Sequence, residues 1–128
     1  MTVVYDTGVL VAADRNTRAV WADHRVRLEA GRLPTTTVPV VAQASRSDRQ
    51  VQLCRFLAGC YMADFSVIEA HRVGALLAAA HSSDVVDGHV VLTAHRLGAA
   101  VVTSDLDDLT TLAAALHPPP RVRPLPSD

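Results

Sequence analysis

The chain has 128 residues, 13 acidic and 12 basic side chains, and a formal net charge of −1 at neutral pH. That length suits one compact domain, and a hydrophobic fraction of 49% excludes a disordered chain. All the basic residues are arginines. The absence of lysine excludes phosphate-loop NTPases, Schiff-base enzymes and protein kinases, because each of them requires a lysine ammonium group.

The first residues and the cysteines indicate a soluble cytoplasmic protein. The chain opens with Met-Thr-Val-Val-Tyr-Asp, and no basic stretch precedes an apolar one, so no signal peptide is predicted. The longest apolar run, 73–80, is too short to span a bilayer. Cys54 and Cys60 lack the spacing of a metal-binding pair and are interpreted as free thiols in a reducing compartment.

Segments with strand character alternate with segments of helical periodicity. Strands are predicted at 2–5, 33–37, 61–65 and 99–103, with a final edge strand near Val122. Helices are predicted at 9–13, 16–30, 40–46, 49–58, 66–81, 84–97 and 105–116. The rest of the tail, 117–128, holds five of the seven prolines and is expected to be extended or mobile. Because the best strands are apolar throughout, the pattern predicts one α/β domain over 1–128: three layers, with a mostly parallel central sheet.

The sequence predicts caps at two helix starts and a structural role for the histidines. Asn16 or Thr17 is expected to cap the second helix. Ser66-Val-Ile-Glu69 has the pattern of a capping box, in which the glutamate side chain reaches back to the serine N–H. The histidines form no catalytic triad, and His89 is interpreted as a structural residue that faces outward or is partly buried.

Aspartates occupy the strand ends where ligands bind in α/β folds. Asp6 ends the first strand, and Asp105 follows the strand at 99–103. Asp87 shares a helix face with apolar residues and is expected to point inward. Clustered carboxylates repel one another, and a divalent cation resolves that conflict. Oxygen ligands without histidine or cysteine favour Mg²⁺ or Mn²⁺, and metal-assisted phosphodiester hydrolysis is the reaction class that follows.

Capping offers an alternative interpretation of several of these acids. Asp-x-x-Asp occurs at 84–87 and at 105–108, and both are good helix N-termini. Asp84 and Asp105 would then be N-caps, and Asp87 and Asp108 would interact favourably with the helix dipole. Capping explains neither Asp6 nor the inward direction of Asp87, so the sequence leaves both interpretations open.

Four segments, in this order and at these separations, resemble the PIN-domain ribonucleases, in particular the VapC-type toxins of bacterial toxin–antitoxin pairs. They are Val3–Thr7, Pro39–Arg46, Asp84–Asp87 and Gly98–Asp105, with Asp108 following. The resemblance covers nearly the whole chain and implies a PIN-like α/β/α fold with acids gathered around Mg²⁺ or Mn²⁺. It implies Asp6, Asp87 and Asp105 as the metal-site acids. The residues implied around them, at the edge of the site or orienting its carboxylates, are Asp84, Asp108, Thr103, Ser104 and Thr7.

The same resemblance implies an activity and partners. The chain is expected to be an endoribonuclease toxin that cuts tRNA, rRNA or mRNA, forms a homodimer, and is inhibited by a cognate antitoxin. Arg46 follows Gln43 by three residues in the predicted third helix, so the two share a face there. Arg46 and Arg15 are the candidate contacts to RNA or antitoxin.

One residue departs from the family pattern. Gln43 stands where these proteins usually have glutamate. A glutamine carbonyl can ligate a metal or hold its water, but it brings no charge, so metal affinity is expected to be lower. Asp48 is a poorly placed substitute. A catalytically weakened or inactive PIN-fold module, which binds RNA or an antitoxin without cleavage, therefore stays the alternative.

Overall fold

The computed structural model describes residues 2–128, and within them the chain forms five strands and seven helices. The strands are β1 (Val3–Tyr5), β2 (Thr35–Thr37), β3 (Tyr61–Ala63), β4 (Ala100–Thr103) and β5 (Val122–Pro124). The helices are α1 (Thr7–Asp14), α2 (Arg18–Glu29), α3 (Val38–Ala44), α4 (Val51–Leu57), α5 (Val67–Ala80), α6 (Val85–Leu97) and α7 (Leu106–Ala113). None of the described helices combines the length and apolarity that crossing a membrane requires.

The five strands form one parallel sheet in the order β3-β2-β1-β4-β5. Helices α1, α2 and α4 pack together on one face, and α5, α6 and α7 on the other. Central strands of such a sheet are covered on both sides, which explains why β1 and β4 are fully buried and why only Thr103, at the end of β4, is polar. The predicted α/β fold with a parallel sheet is confirmed.

An aromatic cluster fills the space between β1 and the α2–α4 side. Tyr5 stacks on Phe56 with ring centroids 5.3 Å apart, and its hydroxyl lies 3.0 Å from Nδ1 of His24. His24 itself stacks on Phe56. The ring of His24 is buried, and this burial lowers its pKa below the ordinary value.

Acidification is expected to weaken the fold through His24. A histidine whose pKa is lower in the folded state is neutral there, while the unfolded chain takes up a proton below about pH 6.5. Its contribution to stability is therefore present at neutral pH and is lost as the pH falls. Urea unfolding of the wild type and of His24→Gln, each followed from neutral to mildly acidic pH, measures this. The variant should show a smaller loss on acidification, and equal losses would contradict the prediction.

The end of α3 differs from the predicted helix 40–46. The helix stops at Ala44, and Ser45 is extended. The cause is the side chain of Gln50, whose amide nitrogen donates to the Ala44 carbonyl and whose oxygen accepts from the N–H of Arg46 at 2.6 Å. The expectation that Arg46 shares a helix face with Gln43 is therefore wrong, because Arg46 lies in the loop after the helix.

The proline-rich tail is attached at two points. Val122 belongs to β5, as predicted, and β5 pairs with β4 at the sheet edge. The side chain of Asp128 accepts from the backbone N–H groups of Arg18 and Ala19, at 3.3 and 2.7 Å. Thr17 occupies the N-cap position of α2 but makes no side-chain cap. A carboxylate distant in sequence thus caps this helix, in place of the residues expected from the local pattern.

The capping box at the start of α5 is only half formed. Ser66 accepts from the Glu69 N–H at 3.2 Å, but Glu69 turns into the α5–α6 interface, where Arg96 donates to it at 3.0 Å. A guanidinium is a stronger partner for a carboxylate than a backbone N–H. His89 lies beside Glu69 and is completely buried, so its predicted outward or half-buried position is wrong.

Candidate active site

The carboxyl ends of β1 and β4 lie side by side and carry one aspartate each. Tyr5 pairs with Val102 in the sheet, and the N–H of Asp6 donates to the Val102 carbonyl at 3.0 Å. Asp105 follows β4 by two residues. Parallel pairing therefore brings these two acids to the same edge of the sheet, although almost a hundred residues separate them in the chain.

Asp6 is a buried carboxylate with one satisfied oxygen. It is 4% exposed, and its Oδ2 accepts from the hydroxyl of Thr103 at 2.7 Å. Its Oδ1 has no hydrogen-bond partner among the described residues. Burial raises the pKa of Asp6, and the hydrogen bond from Thr103 opposes that rise. Buried carboxylates are normally paired with a cation or fully hydrogen-bonded, and the free position at Oδ1 suits a cation.

Thr103 connects the two aspartates through a single hydroxyl group. Its Oγ1 donates to Asp6 and accepts from the backbone N–H of Asp105 at 2.9 Å. Thr103 is fully buried at the end of β4. Its hydroxyl therefore fixes both the rotamer of Asp6 and the backbone direction at Asp105.

The start of α6 adds two more acids. Asp84 is the N-cap of this helix and accepts from the Asp87 N–H at 3.0 Å, which agrees with the capping interpretation of Asp84. Asp87 points toward the other acids and is half-buried. Burial, and then the charges of Asp6, Asp84 and Asp105, raise its pKa to about 7. These carboxylates repel one another strongly when no cation is present.

The start of α7 completes the acidic cluster. Oxygen atoms of Asp87, Asp105 and Asp108 lie within 4.8 Å of one another, a spacing that suits one shared cation. The side chain of Asp105 makes no cap to α7, so the capping interpretation of Asp105 is wrong. The nearby charge of Asp105 raises the pKa of Asp108. The sequence pattern predicts Asp108 at the edge of the site, yet its three-residue spacing from Asp105 already indicates a shared face.

An open pocket of about 390 Å³ connects these acids to α1 and α3. Its lining consists of Asp6, Thr7, Gly8, Val11, Gln43, Asp84, Asp87, Ser104 and Asp105. Gln43 is exposed, and its side-chain oxygen accepts a hydrogen bond from the hydroxyl of Thr7. The uncharged amide therefore forms one wall of the pocket, opposite the carboxylates.

Neither predicted arginine contact lies in this pocket. Arg15 is at the far end of α1, about 12 Å along the helix axis from Thr7. The guanidinium of Arg46 donates to the neighbouring Ser45 carbonyl in the loop after α3. Asp48 lies in the same loop and does not line the pocket. The structure thus brings together the predicted acids, Gln43, Thr7, Thr103 and Ser104, and leaves both arginines outside.

Gly8 allows the first turn of α1 to approach the loop after β4. A Cβ atom on Gly8 would lie 2.0 Å from Oγ and 2.6 Å from Cβ of Ser104. Gly8→Ala is therefore expected to displace Ser104 and the adjoining Asp105, and to destabilise the protein by about 1–3 kcal/mol. Chemical denaturation measures the loss. The double variant Gly8→Ala/Ser104→Gly removes both close contacts and should recover most of the stability. Equal stabilities of the single and double variants would exclude this clash as the cause.

Comparison with known proteins gives structural neighbours only. No protein-family model matches the sequence, and no curated protein matches it. A chain of VapBC2 from Rickettsia felis, in a crystal structure bound to a DNA fragment from their promoter, superimposes with a TM-score of 0.67 and 15% identity, covering 97% of this chain and 98% of that one. PAE2754 from Pyrobaculum aerophilum superimposes with a TM-score of 0.65 and 13% identity, covering 96% of this chain and 83% of that one. The chain therefore shares the fold of the VapBC2 chain and of PAE2754, and this α/β fold agrees with the one that the resemblance of its four segments implies.

Proposed function

We propose that this chain is a Mg²⁺- or Mn²⁺-dependent endoribonuclease and the toxin of a toxin–antitoxin pair. The observation that carries the proposal is the convergence of Asp6, Asp87 and Asp105 at the carboxyl edge of the sheet, in a pocket open to solvent. Structural ion pairs do not account for this cluster, because no arginine lies within salt-bridge distance of these three carboxylates in the described chain.

The residues present fit a divalent cation. Donors at the site are carboxylate oxygens, the ligand type that Mg²⁺ and Mn²⁺ prefer. Asp6 offers an unpartnered buried oxygen, and Asp87 and Asp105 offer oxygens at a spacing that one ion can bridge. When bound, such a cation supplies positive charge to a phosphate and lowers the pKa of a water molecule.

The remaining side chains hold the acids in position. Thr103 orients Asp6 and the backbone of Asp105. Asp84 fixes the first turn of α6 and, through it, Asp87. Thr7 and Gln43 form the opposite wall, where an amide can hydrogen-bond a water or a phosphate oxygen. Asp108 adds a carboxylate at the exposed edge of the same cluster.

The partners follow from the same proposal. The similar chain from Rickettsia felis belongs to a VapBC2 complex, and this supports a cognate antitoxin as the inhibitor of the present chain. RNA, whether tRNA, rRNA or mRNA, is the proposed substrate, and a cytoplasmic homodimer is the proposed working form.

A cleavage assay tests the enzymatic proposal. Purified protein is incubated with structured cellular RNA in Mn²⁺, in Mg²⁺ and in EDTA, beside Asp6→Ala, Asp105→Asn and Asp107→Asn. Asp107 is an exposed acid on the first turn of α7 and does not line the pocket, so Asp107→Asn serves as a matched control. Cleavage should require the cation, disappear in the first two variants and persist in the control. Equal cleavage by all four proteins would show a contaminating nuclease or a different site.

A second function is favoured by Gln43 alone. The site has one carboxylate fewer than the family pattern, and the side-chain oxygen of Gln43 already accepts a hydrogen bond from Thr7. The uncharged wall that Gln43 and Thr7 form is consistent with a module that binds RNA or an antitoxin without cleaving RNA. RNA binding that persists in EDTA, together with no cleavage in Mn²⁺, would support this function over the enzymatic one.

A further inference from the structure

A second, positively charged cleft lies between α2 and α4, away from the acidic pocket. Its lining is Asn16, Trp21, Arg25, Gln52 and Arg55, and its volume is about 370 Å³. An adjoining depression on α2 adds Arg18. No acidic residue lines either one. This surface is separate from the acids, because none of its lining residues lines the acidic pocket.

The arginines of this cleft form no salt bridge with any residue that the structure describes. Arg27, on the same helix, pairs with Asp23 at 3.0 Å. In contrast, within the described residues no carboxylate lies within 4.0 Å of the guanidinium of Arg18, Arg25 or Arg55. The spacing on α2 places Arg18 and Arg25 on the face of Trp21, and Gln52 and Arg55 share a face of α4. Two helices thus direct free guanidinium groups toward the same cleft.

Trp21 provides a fixed aromatic surface at the base of the cleft. Its indole N–H donates to the Ala13 carbonyl at 2.9 Å, and its ring meets Phe56 edge-on at 5.2 Å. The ring is only partly buried. Beside it, Gln52 donates to the side-chain oxygen of Asn16 at 2.9 Å, an arrangement that leaves the Asn16 amide nitrogen free to donate.

We propose that this cleft binds single-stranded RNA, with a base against Trp21 and phosphates on Arg25 and Arg55. A positively charged groove with an aromatic stacking surface is the combination that single-stranded nucleic acids require, and the planar guanidinium matches a phosphate. The carboxylates of an acidic peptide would pair with the arginines but would not stack on the ring of Trp21. The inference rests on the proposed function: it assigns a site that holds the substrate outside the position of cleavage.

Binding measured in EDTA separates this proposal from cleavage. The probe is a fluorescein-labelled single-stranded RNA oligonucleotide, followed by anisotropy. Arg25→Ala/Arg55→Ala is expected to raise Kd at least tenfold and to reduce the slope of log K against log salt by about 1.4, since two phosphate contacts are lost. Arg72→Ala/Arg121→Ala, which removes two exposed arginines that lie outside the cleft, should leave Kd unchanged. Equal values of Kd for the two double variants would overturn the proposal.

Trp21 also provides an internal reporter, because it is the only tryptophan in the chain. Unlabelled RNA should quench its emission in the wild type, and the cleft variant should need a correspondingly higher RNA concentration. Binding of poly-glutamate in place of RNA would identify an acidic protein as the occupant and would overturn the RNA assignment. Loss of cleavage in Mn²⁺ with RNA binding and quenching intact would contradict only the proposed enzymatic function.

Discussion

Asp87→Asn is expected to abolish RNA cleavage and, at the same time, to make the cation-free protein more stable. The loss of activity should exceed the roughly 10- to 100-fold that removal of an outer partner of a metal ligand costs, because Asp87 is one of the three acids proposed to hold the ion. The gain in stability has a different origin. Burial and three neighbouring acids raise the pKa of Asp87 to about 7, so its charge opposes folding.

The stability gained by Asp87→Asn is expected to increase as the pH rises. In the cation-free wild type, the folded state holds a proton on Asp87 up to about pH 7, whereas the unfolded state releases it near pH 4. Stability therefore decreases as the pH rises between these two values. The variant lacks this decrease, and its advantage above pH 7 should be about 1–2 kcal/mol after screening by solvent.

Urea unfolding in EDTA, at acidic and at slightly alkaline pH, measures both effects. Asp107→Asn controls for the removal of an exposed acid. Added Mn²⁺ should stabilise the wild type and leave Asp87→Asn unchanged. If the variant is less stable than the wild type above pH 7, the carboxylates do not repel one another as their arrangement indicates.

Gln43→Glu is expected to raise the affinity for Mn²⁺ by about tenfold, which corresponds to about 1.4 kcal/mol from one added charge at the rim of a solvated pocket. Gln43 is exposed and accepts a hydrogen bond from Thr7. A glutamate oxygen can accept the same bond, so the fold should be unaffected. Cleavage should rise with cation occupancy.

A matched control is available on the same helix. Ala42 is exposed on α3 and does not line the pocket, so Ala42→Glu adds the same charge nearby without adding a ligand. Calorimetric titration with Mn²⁺ compares the two variants with the wild type. No gain in affinity for Gln43→Glu over Ala42→Glu would mean that position 43 does not contribute to the cation site. A gain in affinity with no cleavage would favour the binding-only function.

The sheet is predictable from the sequence because its central strands are buried on both faces. Continuous apolar runs such as 99–103 are typical of that environment, and the aspartates that follow β1 and β4 are local in sequence. The position of a carboxylate at the end of a buried strand is fixed by the strand itself. For this reason the sequence alone predicts that Asp6 and Asp105 lie at one edge of the sheet.

Features that depend on long-range contacts could not be predicted in this way. The end of α3 is set by the Gln50 side chain, and the N-terminus of α2 by Asp128. The arginine cleft requires α2 and α4 to meet in space, because Trp21 and Arg25 come from α2 and Arg55 comes from α4. Asp105 carried two plausible roles, and only the direction of its side chain distinguishes them.

The hydrogen bond between Thr103 and Asp6 spans 97 positions of the chain. During translation Asp6 therefore leaves the ribosome long before the strand that supplies its hydrogen-bond donor and its acidic neighbours. A nascent chain lacking β4 presents an isolated carboxylate next to a short apolar segment, which is a weak ligand for any ion. The acidic pocket can form only after most of the polypeptide has been synthesised, so incomplete chains released early would lack this pocket.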